Sequence, residues 1–296
     1  MSTNNSPKDR KKITTKTFAS KKKHNEIITM LTAYDYPTAL AAERAEIDSI
    51  LVGDSLGMVV LGYDTTLPVT MQDMLHHCKA VARGAKYPLL IGDMPFMSYQ
   101  VSAKDALQNA GRFLQEAGMD AVKLEGGMER REAVELIVSA GIPVMGHLGL
   151  TPQSVNQMGG FRAQGKTAAA AKKLLEDALI LQDAGCFSIV LETIPARLAG
   201  LVSDKLDIPT IGIGAGVDCD GQVLVTHDLL GLFDRFVPRF VKKYAHLHQE
   251  MVQAFTGYKL DVESRQFPEE EHSFEMLDED WNMLIEEVEE IPQIRA

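Results

Sequence analysis

Along the chain one pattern recurs: a short apolar run rich in β-branched residues ends in a polar residue or a glycine, and a longer stretch of helical period follows. Such alternation predicts parallel strands joined by helical crossovers. The predicted strands cover 27–33, 49–53, 89–92, 121–124, 143–146, 188–191, 210–213 and, with the weakest pattern, 222–225. Between them, Ser102 with Asp105 three residues on marks a helix start that Gly118 ends. Helices over 130–140 and 166–183 stop at Gly141 and Gly185. An open doubly wound sheet would alternate in the same way. Eight units, with polar groups at the ends of many different strands, predict instead a closed (β/α)8 TIM barrel of the α/β class.

The ends of the chain break the pattern. Residues 1–23 carry eight Lys or Arg and one acid, and residues 261–296 carry thirteen acids and two arginines. Charge blocks of this kind are expected to be solvated, so the chain divides into a flexible basic extension over 1–23, one catalytic barrel over 24–260, and an acidic extension over 261–296. Trp281, Leu284, Ile285 and Val288 fall on one helical face, which predicts a short helix there able to dock on the barrel or on a neighbouring subunit.

With 45% hydrophobic residues among 296, the chain can bury one large core. Its formal charge of −11 repels polyanions, so no nucleic-acid partner is expected, and an acidic substrate would need a local cation. Cys78, Cys186 and Cys219 are odd in number and lack metal-ligand spacing, which fits a reducing compartment and a cytoplasmic location. The N-terminus lacks the apolar stretch of a signal peptide, and no run of about 18 apolar residues could span a bilayer; no membrane partner is expected.

Candidate chemistry sits at the predicted strand ends, which read VGDS, IGDM, VKLEGG, VMGHLG, VLET and IGIGAG. They place Asp54, Asp93, Glu125 and Glu192 just beyond apolar runs, with Lys123 and His147 nearby. In a parallel barrel all these ends open on one face. Gathering carboxylates in a partly dry pocket is costly unless a cation neutralises them or protons bind, so a divalent metal is the natural partner. Oxygen ligands without Cys or paired His favour Mg²⁺, while leaving Mn²⁺ or Co²⁺ open. Taken singly, Asp54 or Asp93 could merely cap a helix; their recurrence at equivalent places argues for a shared site. Lys123 and Glu125 lie two apart on a strand and share a face. A lysine among carboxylates stays protonated, which suits binding of a substrate carboxylate better than Schiff-base chemistry. His147 is read as a supporting residue at the site or as a buried hydrogen-bonding histidine. Gly212, Gly214 and Gly216 follow the seventh strand, where barrels often bind phosphate, but their spacing suits close backbone packing equally well. The glycine-rich segment 159–166 reads as a lid or a plain loop.

The motifs TAYD (32–35), VGDSLGMV (52–59), GYDTTLPVT (62–70), IGDMPFMSY (91–99), VKLEGG (122–127), GHLGLTPQS (146–154), GGFRAQGK (159–166) and IGIGAG closely resemble the ketopantoate hydroxymethyltransferase family, in order and nearly without gaps. The likeness covers 27 to about 247 and resumes at 267–274. It departs in the lysine-rich stretch 21–23, which lacks a glycine often found there, and in the long acidic end. The resemblance implies transfer of a one-carbon unit from 5,10-methylenetetrahydrofolate to 3-methyl-2-oxobutanoate, giving 2-dehydropantoate on the route to pantothenate and coenzyme A. It implies that Asp54, Asp93 and Glu125 form the metal site, for Mg²⁺ with Mn²⁺, Co²⁺ or Zn²⁺ as substitutes. It further implies that Asp54, Ser55, Asp93 and Lys123 contact the substrate, that Glu192 accepts the proton, and that the chain forms a homo-oligomer, commonly a decamer. The competing readings are another metal-dependent 2-oxo-acid lyase or mutase of the phosphoenolpyruvate or isocitrate lyase type, and a non-catalytic barrel scaffold.

Overall fold

The structure, a computed structural model, describes residues 10–160 and 162–289. Eight parallel strands close into a barrel in sequence order: β1 (Ile28–Thr32), β2 (Ser49–Val52), β3 (Leu89–Asp93), β4 (Ala121–Lys123), β5 (Val144–Gly149), β6 (Ser188–Glu192), β7 (Thr210–Ile213) and β8 (Gly221–Leu224), with β8 pairing back onto β1. All eight predicted strands are present. The helices are α1 (Thr15–Lys23), α2 (Tyr36–Arg44), α3 (Leu56–Val59), α4 (Met71–Gly84), α5 (Ala103–Ala117), α6 (Arg131–Ser139), α7 (Val155–Met158), α8 (Ala168–Asp183), α9 (Ala196–Lys205), α10 (Thr226–Leu229), α11 (Leu247–Glu263) and α12 (Asp278–Glu289). Ser102 caps α5 by accepting from the Asp105 amide, and Gly118 ends that helix in the left-handed conformation.

The strands alternate between two apolar clusters, as the two-residue period of a strand requires. Ile50, Leu90, Val122, Val144 and Ile189 face the helices. Leu51, Leu89, Ile91, Ala121, Met145 and Val190 fill the barrel interior. One of these two faces, continued upward, carries the site.

Helix α1 overturns the flexible basic extension expected over 1–23, as far as residues 10–23 are described; residues 1–9 lie outside the described part. Phe18 of α1 is fully buried in the interior cluster with Ile28, Met30 and Leu89. Lysines on and before the helix reach aspartates that each precede a strand: Lys12 to Asp120 at 2.6 Å, Lys21 to Asp48 at 2.7 Å and Lys22 to Asp220 at 2.8 Å. The basic block is thus the complement of an acidic ring at the strand starts, and α1 closes the lower end of the barrel. Charge counting alone could not separate a solvated tail from this plug, since the aspartates are dispersed through the sequence.

The chain divides into two compact units, 1–245 and 246–296, so the barrel unit ends earlier than the expected boundary at 260. In the second unit the expected short helix is present as α12, and Trp281, Leu284, Ile285 and Val288 are exposed on it. Helix α11 has no buried residue. Among the described residues no helix is long and apolar enough to cross a membrane.

Replacing Phe18 by Ala should destabilise the protein by about 3–5 kcal/mol through lost burial and the cavity left under the barrel. Urea unfolding measures it. A loss within about 0.5 kcal/mol would mean that α1 is not part of the folded core.

Candidate active site

The interior parity of the strands explains the composition of the mouth. Leu89 and Ile91 lead to Asp93, Ala121 to Lys123 and Glu125, Met145 to His147, and Val190 to Glu192. Each polar group stands two or four residues beyond an apolar residue of the inner cluster, so all project to one side. Asp54 lies just past β2, in the turn leading into α3, and joins them from there. These residues line a single cavity of about 330 Å³, together with Ser55. Asp54, Asp93, Lys123, Glu125 and His147 are buried, and Glu192 is half-buried.

Register decides who meets whom. Asp93 and Lys123 are direct partners across β3 and β4, and the ammonium donates to both carboxylate oxygens, at 2.6 and 2.7 Å. The Asp54 amide donates to Asp93 Oδ2 at 3.3 Å, so the two aspartates share one locus rather than separate surfaces. His147 lies between two carboxylates: Nδ1 is 3.3 Å from Glu125 Oε1, and Nε2 is 3.2 Å from Glu192 Oε2. These are ion-pair distances without the alignment of a hydrogen bond, for both ring nitrogens lack a geometrically satisfied partner among the described residues. Close approach of β5 and β6 depends on Gly149, at φ +98°, where a Cβ would lie 2.2 Å from the Glu192 carbonyl oxygen. Thr193, directly after Glu192, is itself left-handed at φ 50°. Its amide donates to Ile213 O and its carbonyl accepts from the Gln164 amide, so the turn beyond the carboxylate is held from both sides.

Gln153 organises the cluster and carries no spacing signal that sequence reasoning could use. Its side-chain nitrogen donates to Asp54 Oδ2 at 2.9 Å and to Met94 O at 2.9 Å, and its backbone amide donates to Glu125 Oε2 at 3.1 Å. The Tyr99 hydroxyl donates to its side-chain oxygen at 2.6 Å. Asp228, after β8, also lines the cavity and was missed, because THDL reads only as a helix start. The glycines of IGIGAG serve close packing: a Cβ on Gly214 would lie 2.7 Å from the Phe240 ring and one on Gly216 2.4 Å from Ala196 Cβ. In the segment 159–166, Phe161 lies outside the described residues, and the Gln164 amide is tied to Thr193.

Electrostatics follow from burial first. Burial raises the pKa of Asp54 well above the ordinary carboxylate range, and Asp93 and Glu125 add to the rise. Asp93 is also raised by burial, against the pull of Lys123. Burial opposes the charge on Lys123, but Asp93, Glu125 and Asp54 outweigh it and hold the ammonium protonated, as its surroundings in the sequence suggested. Glu125 is lowered despite its burial, chiefly by His147. Burial and Lys123 push His147 down, and Glu125 and Glu192 push it further up, to about 9. Among the described residues no three His, Cys, Asp or Glu side chains form a ready-made ligand group. Asp93 is engaged by Lys123, and Asp54 and Glu125 by Gln153, so the expected three-carboxylate metal site is not a closed protein cage. The donor set still fits a hard cation such as Mg²⁺, which is commonly held by one or two carboxylates and completed by water and substrate.

Because the folded pKa of His147 lies above the unfolded value of about 6.5, its contribution to stability is complete below that pH and is lost as pH rises through about 9. In chelator-treated protein the urea midpoint should therefore fall between pH 7 and pH 9.5, both taken as approximate brackets of that window. The fall should flatten in His147→Gln. An equal fall in the variant would assign it to other groups.

Comparison with known proteins places the chain. The sequence model of the ketopantoate hydroxymethyltransferase family matches residues 12–270. The chain is 58% identical over 268 residues to the 3-methyl-2-oxobutanoate hydroxymethyltransferase of Carboxydothermus hydrogenoformans, covering 90% of this chain and 97% of the relative. It is 65% identical over 246 residues to the enzyme of the same name from Syntrophobacter fumaroxidans, covering 83% and 87%. Among solved structures, a phosphonopyruvate hydrolase in complex with oxalate and Mg²⁺ superposes with a TM-score of 0.58 at 11% identity, covering 93% of this chain and 96% of the other. A 2,3-dimethylmalate lyase superposes at 0.57 with 13% identity, covering 93% and 98%. These two likenesses are of fold alone, so they do not favour the lyase or mutase reading. With the barrel, the charged mouth and close relatives along almost its whole length, the chain belongs to the ketopantoate hydroxymethyltransferase family.

Proposed function

We infer that the chain catalyses the reaction for which its relatives are named, hydroxymethyl transfer to 3-methyl-2-oxobutanoate, with 5,10-methylenetetrahydrofolate as donor and 2-dehydropantoate as product. The chain is an enzyme, a hydroxymethyltransferase. The observation that carries the mechanism is that Lys123, Asp93, Asp54 and Glu192 line one cavity. Lys123 is a buried positive charge there for an acidic substrate, and Ser55 lines the same cavity. Asp54 and Asp93 would hold a divalent cation, with Glu125 as a further acid beside it; Mg²⁺ fits the oxygen donors best, and Mn²⁺, Co²⁺ or Zn²⁺ can substitute. The chemistry such a cation supplies when bound is stabilisation of negative charge on the 2-oxo oxygen.

Glu192 is the proton acceptor in this proposal. Its side chain stands outside the Asp93–Lys123 and Gln153 networks, and His147 lies 3.2 Å from it. His147, raised to about 9, is a cation at neutral pH and orients the Glu192 carboxylate while leaving the other oxygen for the C3 proton. Removal of that proton makes C3 the nucleophile, and C3 bonds to the donor's methylene carbon. Water supplies the hydroxyl of the product. The C3 proton and the remaining water proton end on the two folate nitrogens that had held the methylene, and tetrahydrofolate leaves.

Assembly as a homo-oligomer, a decamer on the family pattern, belongs to the same proposal; the exposed apolar side chains Met251, Val252, Phe255 and Tyr258 of α11 support it. A cytoplasmic location is supported by three free, buried cysteines.

Glu192→Gln should lower exchange of the C3 hydrogen with D₂O by about 10²–10⁴-fold while 3-methyl-2-oxobutanoate still binds, as followed by NMR. Exchange at the wild-type rate would remove Glu192 from this role. Chelation should abolish formation of 2-dehydropantoate, and Mg²⁺ should restore it; turnover indifferent to chelation would refute the metal assignment.

A further inference from the structure

A small 2-oxo acid occupies only part of a 330 Å³ cavity, so the same cavity has room for part of a second reactant. The groups assigned to the first reactant come from the ends of β2 to β6. The strands are ordered around a closed ring, so the seam between β8 and β1 lies across the mouth from β4 and β5. That seam is fastened above by Thr226, whose amide donates to Thr32 Oγ1 at 3.0 Å and whose hydroxyl donates to Thr32 O. Two residues on stands Asp228. It is 6% exposed, it lines the cavity, and its Oδ1 has no hydrogen-bond partner among the described residues. The mechanism above does not use it.

A buried carboxylate oxygen without a donor is costly to keep, and an apolar residue would serve packing better. Burial lifts its pKa to about 6, with Lys243 pulling the other way, so at neutral pH it remains mostly ionised. Across the mouth from Lys123 and the proposed cation, a carboxylate is the wrong neighbour for the anionic 2-oxo acid. It suits a ligand edge that presents two N–H donors side by side, which it can accept as a pair of charge-assisted bonds. Phe233, Phe236 and Phe240 line the same cavity, offering flat apolar surface beside it, and Arg239 adds a cation.

Resting on the reading of the chain as a methylenetetrahydrofolate-dependent transferase, we propose that Asp228 receives the 2-amino and N3–H edge of the donor's pterin ring. The three phenylalanines form the wall along the ring, and Arg239 faces the negatively charged glutamate tail. The site would then hold each reactant by its own charge: the 2-oxo acid by Lys123 on one side of the mouth, the pterin by Asp228 on the other.

Titration of tetrahydrofolate by calorimetry, with Asp228→Asn set against wild type, tests this. The variant should bind about tenfold or more weakly, and KM for methylenetetrahydrofolate should rise in step, while KM for 3-methyl-2-oxobutanoate moves by less than about twofold. A purely structural carboxylate would disturb both constants and lower the melting temperature. A second arm uses the wild-type protein alone and so does not depend on the variant folding: a tetrahydrofolate analogue lacking the 2-amino group should bind about tenfold more weakly than the parent. Equal affinity of the wild type for both ligands, or tetrahydrofolate affinity in Asp228→Asn within about twofold of wild type, overturns the role of Asp228 and leaves the transferase reading intact. Failure of the wild type to bind tetrahydrofolate or to form 2-dehydropantoate would instead overturn the reading on which it rests.

Discussion

The mouth of the barrel depends on the neutralisation of buried carboxylates. Asp54, Asp93 and Glu125 are each at most 4% exposed, and Glu192 stands beside them. Left alone, such a group would take up protons or come apart. Lys123 and His147 are the cations that hold it together, Lys123 through both oxygens of Asp93 and His147 between Glu125 and Glu192. The compensation is incomplete, since Asp54 remains raised well above the usual range. That residual demand for positive charge is what supports the proposal of a divalent cation there.

Such an arrangement needs a scaffold that does not yield, and the barrel supplies it by register. Asp93 meets Lys123 because β3 and β4 pair residue for residue there, and His147 reaches Glu192 because Gly149 lets β5 and β6 approach. Gln153 then adds short neutral bonds that fix the carboxylates without consuming their charge. The lower end shows the same economy of charge in reverse: lysines of the N-terminal segment meet aspartates at three strand starts, and Phe18 fills the space between. One end of the barrel is closed by complementary charge, and at the other the charge is not fully matched.

Much of this is legible in the sequence. The eight strands and the position of Asp54, Asp93, Lys123, Glu125, His147 and Glu192 at their ends followed from a period of two inside each strand and from punctuation between them. Gln153 and Asp228 were not legible: a glutamine after a proline and an aspartate at a helix start are common surface residues, and only burial shows that these two are inside. The docking of the basic block at the N-terminus is not legible for a related reason. Its partners, Asp48, Asp120 and Asp220, are spread over more than half the chain.

The sequence by itself determined that this protein is a parallel barrel with acids gathered at one end, because strand alternation and helix punctuation are local properties that need no knowledge of distant contacts. It also carried, through its motifs, the family to which the chain belongs. Only the tertiary structure decided the pairings: Lys123 with Asp93 rather than Glu125, His147 between Glu125 and Glu192, Gln153 across Asp54 and Glu125, and Asp228 with one carboxylate oxygen unpartnered among the described residues. Those pairings depend on register and closure between strands far apart in the chain, and register is set by how whole faces pack rather than by any residue's neighbours in sequence.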